Sequence, residues 1–275
     1  MSDLSRTRLL LVGCGKMGGA MLRGWLARGM KAKNVVVVEP VAAAMGDIAG
    51  MGIVHAPTPA GIAKDFAPDV LVLAVKPQFM DEAIDHYARF IRPEVLVLSI
   101  AAGKTIAYFR QHLGAKASIV RAMPNTPAAI GRGISVAVAD KPVTPAQRNL
   151  ADTLLSACGE VAWVDEEDLI NPVTALSGGG PAYVFLLMEA MAEAGRKAGL
   201  PADLATRLAR VTVSGAGELA RLSPQEPAAQ LRQNVTSPKG TTLEALKILM
   251  ADEGIQPLFD RAIAAATRRS RELAS

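Results

Sequence analysis

The stretch L-L-L-V-G-C-G-K-M-G-G-A-M, residues 9–21, is typical of a buried strand that turns sharply into a helix. Its glycines Gly13, Gly15 and Gly18 have the spacing G-x-G-x-x-G. The first would allow the tight turn, the second would let the backbone approach a phosphate group, and the third would let helix and strand pack closely. Since a helix N-terminus attracts anions, the stretch predicts a dinucleotide-binding turn, with a purely structural turn as the alternative.

Short, β-branched apolar runs continue this pattern through the first 165 residues. They are continuous rather than alternating, which predicts strands buried on both faces, as in a parallel sheet. The runs are residues 9–12, 35–38, 70–75, 95–100, 118–120, 134–139 and 161–164. Helices are expected between the early runs, at residues 17–28, 60–66 and 81–90. This alternation predicts an α/β domain with a doubly wound sheet.

The pattern changes near residue 166. Apolar residues then recur at helical spacing, for example Val184, Leu187, Met188 and Met191, and no β-branched block returns. We therefore expect a dinucleotide-binding domain at residues 1–165 and an all-helical domain at residues 166–275.

Composition narrows the classes of partner. The 30 basic and 26 acidic residues are interspersed and give a net charge of +4, which suits a small anionic ligand and makes no case for nucleic acid. No apolar run approaches the roughly 20 residues that span a bilayer, and the N-terminus lacks a signal-like segment. The two cysteines, Cys14 and Cys158, lie far apart, which argues against a disulfide framework or a metal site and favours a cytoplasmic protein.

An acidic residue, Glu39, ends the second predicted strand, 21 residues after Gly18. A carboxylate there can accept hydrogen bonds from the ribose hydroxyls of a dinucleotide and would repel a 2′-phosphate. Glu39 therefore favours NAD over NADP, although a solvated carboxylate at a strand end is the simpler alternative.

Further candidate cofactor contacts follow the later strands, since ligands bind at the carboxyl ends of such strands. They are A-V-K-P at residues 74–77, S-I-A-A-G at residues 99–103 and M-P-N-T-P at residues 123–127. Each could also be an ordinary turn. No serine-hydrolase, zinc-protease or Walker motif accompanies them, and hydride transfer needs none, because the cofactor carries the reactive chemistry.

The stretch Q-N-V-T-S-P-K-G-T-T-L-E-A-L, residues 233–246, predicts a loop that becomes a helix. Thr241 and Glu244 have the spacing of a capping box, and Leu243, Leu246 and Leu249 would form the buried stripe. Free amides and hydroxyls at such a helix start could bind a carboxylate. From the residues alone, a plain capped helix is as good an interpretation as a ligand site.

Together these stretches resemble the pyrroline-5-carboxylate reductase family over essentially the whole chain. The most specific blocks are E-E-D-L-I-N-P-V-T-A-L-S-G-G-G-P-A-Y at residues 166–183 and Q-N-V-T-S-P-K-G-T-T at residues 233–242. The resemblance implies an N-terminal Rossmann-type domain that binds NADP(H) or NAD(H). It also implies a C-terminal all-α dimerisation domain that builds an interlocked homodimer, with dimers often assembling into decamers. The implied substrate is a five-membered cyclic imino acid.

The resemblance also implies roles for individual residues. Thr242 is the expected catalytic residue, with its hydroxyl beside the imine nitrogen. Substrate binding is expected from Asn234, Ser237, Gly240, Thr241, Thr242 and Glu167. Cofactor binding is expected from Gly13, Cys14, Gly15, Lys16, Met17, Gly18, Glu39, Pro40, Ala74, Val75, Lys76, Pro77, Ala101, Ala102, Gly103 and Asn125.

The chain departs from the family pattern at three places. The family commonly has S-G-S-G-P where residues 177–181 are S-G-G-G-P, and S-P-G-G where residues 237–240 are S-P-K-G. Lys239 would either attract the substrate carboxylate or point to solvent. Many members prefer NADPH and carry small polar or basic residues after the second strand, where this chain has Glu39.

Two other functions fit parts of the sequence. A β-hydroxyacid-dehydrogenase-like enzyme shares the G-x-G-x-M-G pattern, but its catalytic lysine has no counterpart between Tyr183 and Ala192. A non-catalytic nicotinamide-binding protein would keep the fold, yet such relatives usually lose the substrate loop, which is intact here.

Overall fold

A single mixed sheet organises the first part of the chain in the computed structural model, which describes residues 3–274. Its eight strands have the order β3-β2-β1-β4-β5-β6-β7-β8, and all neighbours are parallel except the antiparallel pair β6–β7. The order reverses beside β1, which is where doubly wound sheets bind their ligands. The strands are β1 (Leu9–Val12), β2 (Val35–Val38), β3 (Val54–Ala56), β4 (Val70–Leu73), β5 (Leu96–Ser99), β6 (Ser118–Met123), β7 (Gly133–Ala139) and β8 (Gly159–Trp163).

Helices connect the strands and form the rest of the described chain after Trp163, where no strand occurs. They are α1 (Lys16–Ala27), α2 (Met80–Ala83), α3 (Ile106–Leu113), α4 (Pro145–Ser156), α5 (Ile170–Val173), α6 (Gly180–Lys197), α7 (Ala202–Leu222), α8 (Ala228–Asn234), α9 (Thr241–Leu249) and α10 (Ile255–Ala274).

Both faces of the sheet are buried, which explains the continuous apolar runs. On one face α1 and α4 cover the sheet, and the indole of Trp25 in α1 donates a hydrogen bond of 2.8 Å to the carbonyl of Leu154 in α4. On the other face the core includes Phe109 of α3 and Ile170 of α5. The loops at the carboxyl edge of the sheet therefore extend from a core that is packed on both faces.

The described chain packs into two compact units. One comprises residues 3–178 together with residues 266–274, and the other comprises residues 179–265. The short helix α5 packs with the first unit because Ile170, Asn171 and Ala175 are buried there. The domain boundary between residues 165 and 166 stays a prediction.

The predicted fold class, an α/β doubly wound sheet followed by a helical region, is confirmed. Strands β1 and β2 have the predicted bounds, whereas the three-residue strand β3 was not predicted. The helix predicted at residues 60–66 is wrong: only a 3₁₀ turn, Pro59–Gly61, forms there. The segment predicted as a helix at residues 81–90 is divided between α2 and a 3₁₀ helix, Ile84–Phe90.

Candidate active site

A cleft of about 710 Å³ opens where β1, β2 and β4 end. It brings together several of the predicted cofactor residues from three separate loops. Phe79, His86 and Tyr87, which the sequence pattern did not single out, also line it. The predicted residues in its lining are Gly13, Gly15, Glu39, Pro40, Ala74, Val75 and Lys76.

The glycine-rich turn is packed too tightly to accept side chains. Gly13 has φ +91°, and a Cβ added there would lie 2.8 Å from the carbonyl oxygen of Ala74. A Cβ on Gly18 would overlap the carbonyl oxygen of Gly13. These two glycines therefore let the turn pack against β4, as the spacing predicts.

Gly15 differs from its two neighbours in the motif. A Cβ added there would meet nothing within 4 Å, and the residue lines the cleft. Gly15 is also the N-cap of α1, and no side chain caps that helix, so the first amides of Lys16 and Met17 lack side-chain acceptors. An open glycine at the uncapped start of a helix fits a pyrophosphate group.

Glu39 is nearly buried, and the protein's own backbone engages both of its carboxylate oxygens. Oε2 accepts a hydrogen bond of 2.8 Å from the amide of Cys14, and Oε1 accepts one of 3.0 Å from the amide of Val41. Glu39 therefore ties the glycine-rich turn to the loop after β2. Its position at the end of β2 and in the lining of the cleft agrees with the prediction, while its contact with a ribose stays a prediction.

The remaining predicted cofactor residues follow neighbouring strands at the same edge of the sheet. Lys76 and Pro77 lead from β4 into a 3₁₀ helix, Pro77–Phe79. Residues 101–103 follow β5, and a Cβ added to Gly103 would lie 2.8 Å from the carbonyl oxygen of Leu273. Asn125 follows β6, and its side-chain oxygen accepts a hydrogen bond of 2.9 Å from the amide of Ile134. None of residues 101–103, nor Asn125, contributes to the cleft lining.

Glu167 lies on the first unit and is held by a residue that the sequence analysis missed. Its Oε1 accepts hydrogen bonds from the guanidinium of Arg121, at 2.7 Å, and from the amide of Ile106, at 2.8 Å. Arg121 is 2% exposed and lies in β6 among apolar residues. Arg121 is the one charged residue of β6, and this was the available signal, because a buried charge needs a partner.

The remaining predicted substrate residues lie on the second unit, around the start of α9. Asn234 ends α8; its side-chain nitrogen donates a hydrogen bond of 3.0 Å to Glu226, and its side-chain oxygen accepts one of 2.8 Å from Gln230. A Cβ added to Gly240 would lie 2.5 Å from Oγ of Ser237, so the loop closes tightly on this glycine. Thr241 and Thr242 are the first two residues of α9 and are exposed.

The predicted capping box at this helix is wrong. Gly240, not Thr241, is the N-cap of α9, and no side chain caps the helix. Glu244 instead pairs with Lys247 at 2.7 Å. The first backbone amides of α9 are therefore left without a capping side chain, which suits an anion-binding helix start.

The predicted buried stripe of α9 is likewise not buried within this chain. Leu243 and Leu246 are partly exposed, and Leu249 is 50% exposed. Lys239, before the helix, has φ +60°, a conformation that glycine adopts without strain. The Lys239 side chain is exposed.

The two cysteines are free and buried. Burial raises the pKa of the Cys14 thiol to about 11, with a further contribution from the negative charge of Glu39. Burial also raises the pKa of Cys158 to about 11. Both side chains therefore remain thiols at neutral pH and act as small apolar groups.

Residues 3–274 contain neither a cluster of metal-ligating side chains nor a helix suited to cross a membrane. No group of three histidine, cysteine, aspartate or glutamate side chains lies close enough together to hold a metal ion. No helix in that range combines the length and the apolar character needed to cross a bilayer.

Two family models match the chain. Residues 8–103 match a model described as NADP oxidoreductase, coenzyme F420-dependent. Residues 167–273 match a model described as pyrroline-5-carboxylate reductase dimerisation. The first match contains the glycine-rich turn and the cleft, and the second contains Glu167 and the loop before α9.

Similar proteins extend over the full length of the chain. Pyrroline-5-carboxylate reductase from Pseudomonas aeruginosa is 42% identical, with 98% of each chain covered. Among solved structures, a pyrroline-5-carboxylate reductase from Coxiella burnetii is 35% identical with a TM-score of 0.89, covering 98% of this chain and 99% of that one. The Plasmodium falciparum pyrroline carboxylate reductase with NADP bound is 27% identical with a TM-score of 0.83, covering 99% of this chain and 100% of that one. The chain therefore belongs to the pyrroline-5-carboxylate reductase family.

Proposed function

We propose that the chain reduces the C=N bond of 1-pyrroline-5-carboxylate to give L-proline, the last step of proline biosynthesis. One observation carries the proposal: the Pseudomonas aeruginosa pyrroline-5-carboxylate reductase matches 98% of this chain at 42% identity. The chain is accordingly an NAD(P)H-dependent oxidoreductase that acts on an imine group. No observation favours either of the two other functions considered from the sequence.

The glycine-rich turn, Glu39, residues 74–77 and residues 101–103 would hold the cofactor. Bound NAD(P)H would supply the hydride for the imine carbon. The residues present fit such a group, because Gly15 leaves open space at the uncapped start of α1. The preference between NADH and NADPH is a separate matter: Glu39 favours NADH, whereas the Plasmodium falciparum relative has NADP bound.

The start of α9 would bind the substrate carboxylate through its free amides and through the hydroxyls of Ser237 and Thr241. The Thr242 hydroxyl would lie by the ring nitrogen, where it would either hydrogen-bond or relay a proton. A protonated imine is already an electrophile, so no strong acid is required from the protein. The uncapped N-terminus of α9 supports this assignment.

The second unit would mediate assembly. The dimerisation model covers residues 167–273, and the chain is a homo-oligomer of the family type acting on a small molecule. We further propose an interlocked dimer that can assemble into decamers, with no nucleic-acid or membrane partner, and a location in the cytoplasm. The two free cysteines support the location, since a reducing compartment keeps thiols unpaired.

The test is a spectrophotometric assay of NADH and NADPH oxidation with 1-pyrroline-5-carboxylate, combined with detection of L-proline as product. We expect imine-dependent oxidation of at least one cofactor, with one L-proline formed for each cofactor molecule oxidised. Omission of the imine is the control for background oxidation. A folded protein that oxidises neither cofactor in the presence of the imine would refute the proposal.

A further inference from the structure

Arg121 is a buried cation whose hydrogen bonding is incomplete. It lies in β6, is 2% exposed, and belongs to the face of the sheet that carries the apolar side chains of Phe109 and Ile170. One guanidinium nitrogen, Nη1, donates to Glu167, while the buried Nε finds no hydrogen-bond partner among the described residues. An apolar residue would avoid this unpaired group, so stability alone does not account for an arginine here.

Glu167 is bound through one carboxylate oxygen only. Oε1 accepts from Nη1 of Arg121 and from the amide of Ile106, the first residue of α3. Oε2 accepts no hydrogen bond from the described residues, and the side chain is 30% exposed. The carboxylate is therefore fixed at one oxygen and open to a ligand at the other.

A second ion pair in the same unit shows what a purely structural arrangement looks like. Arg110 of α3 binds Asp140 through two parallel bonds of 2.6 Å, so both carboxylate oxygens are used. Such fork-like pairing is the usual geometry of arginine with a carboxylate. Arg121 forms a single bond with Glu167, and this leaves Oε2 available.

We propose that Arg121 is a positioning residue that orients Glu167 so that Oε2 meets the cationic ring nitrogen of the bound imino acid. The inference rests on the proposed function, because it takes Glu167 to line the substrate site. A protonated imine nitrogen is a strong hydrogen-bond donor, and a carboxylate with a free oxygen is its natural acceptor. Holding that oxygen in place avoids the rate loss of about 10²-fold that a misplacement of about 1 Å can cause.

The test compares Arg121→Met, Arg121→Lys, Glu167→Gln and the double variant Arg121→Met/Glu167→Gln by steady-state kinetics. We expect Arg121→Met to lower kcat/KM for the imine by about 10-fold to 100-fold while KM for the cofactor changes less than about twofold. Arg121→Lys should recover part of the loss, because it keeps the cation. The double variant should behave like Glu167→Gln alone, since Arg121 acts through Glu167.

Arg110→Met is the matched control, because it breaks a comparable ion pair that does not include Glu167. It should lower thermal stability without changing kcat/KM for the imine. Effects of Arg121→Met and Glu167→Gln on kcat/KM that multiply in the double variant would overturn the inference, and so would an unchanged kcat/KM for the imine in Glu167→Gln. If Arg121→Met does not fold, the same comparison of kcat/KM is made with Arg121→Lys, Glu167→Gln and the double variant Arg121→Lys/Glu167→Gln. An inactive wild-type enzyme refutes the proposed function itself, whereas an active wild type with unaffected variants refutes only the role of Arg121.

Discussion

Glu39 places a negative charge in the lining of the cleft, with Cys14 and Val41 amides on its two oxygens. A 2′-phosphate brought near this carboxylate would be repelled, because like charges a few ångströms apart in a partly buried site cost several kcal/mol. We therefore predict that Glu39→Ser raises kcat/KM for NADPH relative to NADH by about tenfold, which corresponds to about 1.4 kcal/mol. Parallel assays with both cofactors measure the ratio.

Glu39→Gln removes the negative charge and also one of the two acceptors, because the NH2 group of glutamine cannot accept from the Val41 amide. Glutamine keeps an oxygen that can accept from the Cys14 amide but carries no negative charge. We expect its cofactor ratio to shift in the same direction as that of Glu39→Ser, with less loss of affinity for either cofactor. A ratio that is unchanged in both variants would mean that Glu39 does not face the ribose.

Thr242 is the second residue of α9 and is exposed. We predict that Thr242→Ala lowers kcat/KM for the imine by about one to two orders of magnitude, the contribution of a single proton-transfer or hydrogen-bonding group. Thr242→Ser keeps the hydroxyl and should retain most activity. Wild-type turnover in Thr242→Ala would remove this residue from the mechanism.

At the level of elements, the loop after β5 depends on the end of α10. Gly103 has φ +73°, and a Cβ there would lie 2.8 Å from the carbonyl oxygen of Leu273. We predict that Gly103→Ala lowers the free energy of unfolding by about 1–3 kcal/mol and weakens cofactor binding, because it adds backbone strain and displaces the helix end. Urea unfolding and a fluorescence titration with NAD(P)H measure the two effects.

Gly52→Ala is the matched control for this substitution. Gly52 has φ +76°, nearly the same conformation, but a Cβ there would meet nothing within 4 Å. The Gly52→Ala variant should lower the free energy of unfolding only by the strain contribution of about 1 kcal/mol, and it should bind cofactor normally. Equal cofactor affinities in the two variants would show that the contact with α10 does not support the loop.

Elements with a strong local signal were predictable from the sequence. Strands β1 and β2 are uninterrupted apolar runs, and their bounds are those expected. Strand β3 has only three residues, contains His55 and leaves Val54 48% exposed. The segment therefore lacks the continuous apolar run that predicts a buried strand. It forms because β2 offers a parallel partner, which is information outside the segment.

The candidate site was likewise predictable only where its signal lies within a short stretch of sequence. The glycine spacing identified the turn because its signal is local. The capping of α9 was not predicted correctly, since Gly240 competes with Thr241 for the N-cap position and Glu244 pairs with Lys247. The Arg121–Glu167 pair joins residues 46 positions apart, and only the packing of β6 against the segment before α5 brings them together.

At the scale of the whole molecule, the second unit exposes a large apolar surface within a single chain. Phe185, Leu186 and Val211 are 58%, 63% and 61% exposed. Such surface on one unit marks a protein interface, in agreement with the dimerisation model that covers it. The stability of the chain should therefore depend on association with a second copy.

We predict that the thermal midpoint falls when the protein is diluted over about a hundredfold range of concentration, because dissociation precedes or accompanies unfolding. Leu186→Glu should yield a smaller species by light scattering and a lower midpoint. Ile130→Glu is the control, since Ile130 is 76% exposed on the first unit. A midpoint independent of concentration together with a monomeric wild type would contradict the assignment of this surface.

The packing of residues 266–274 with the first unit has a consequence for synthesis on the ribosome. Domains generally fold in order as they emerge from the ribosome. The loop at residues 101–103, however, cannot pack against Leu273 until that residue has left the exit tunnel. A nascent chain stalled before that point would carry the glycine-rich turn without a finished binding edge. The loop at residues 101–103 would thus reach its final packing only after Leu273 has been synthesised.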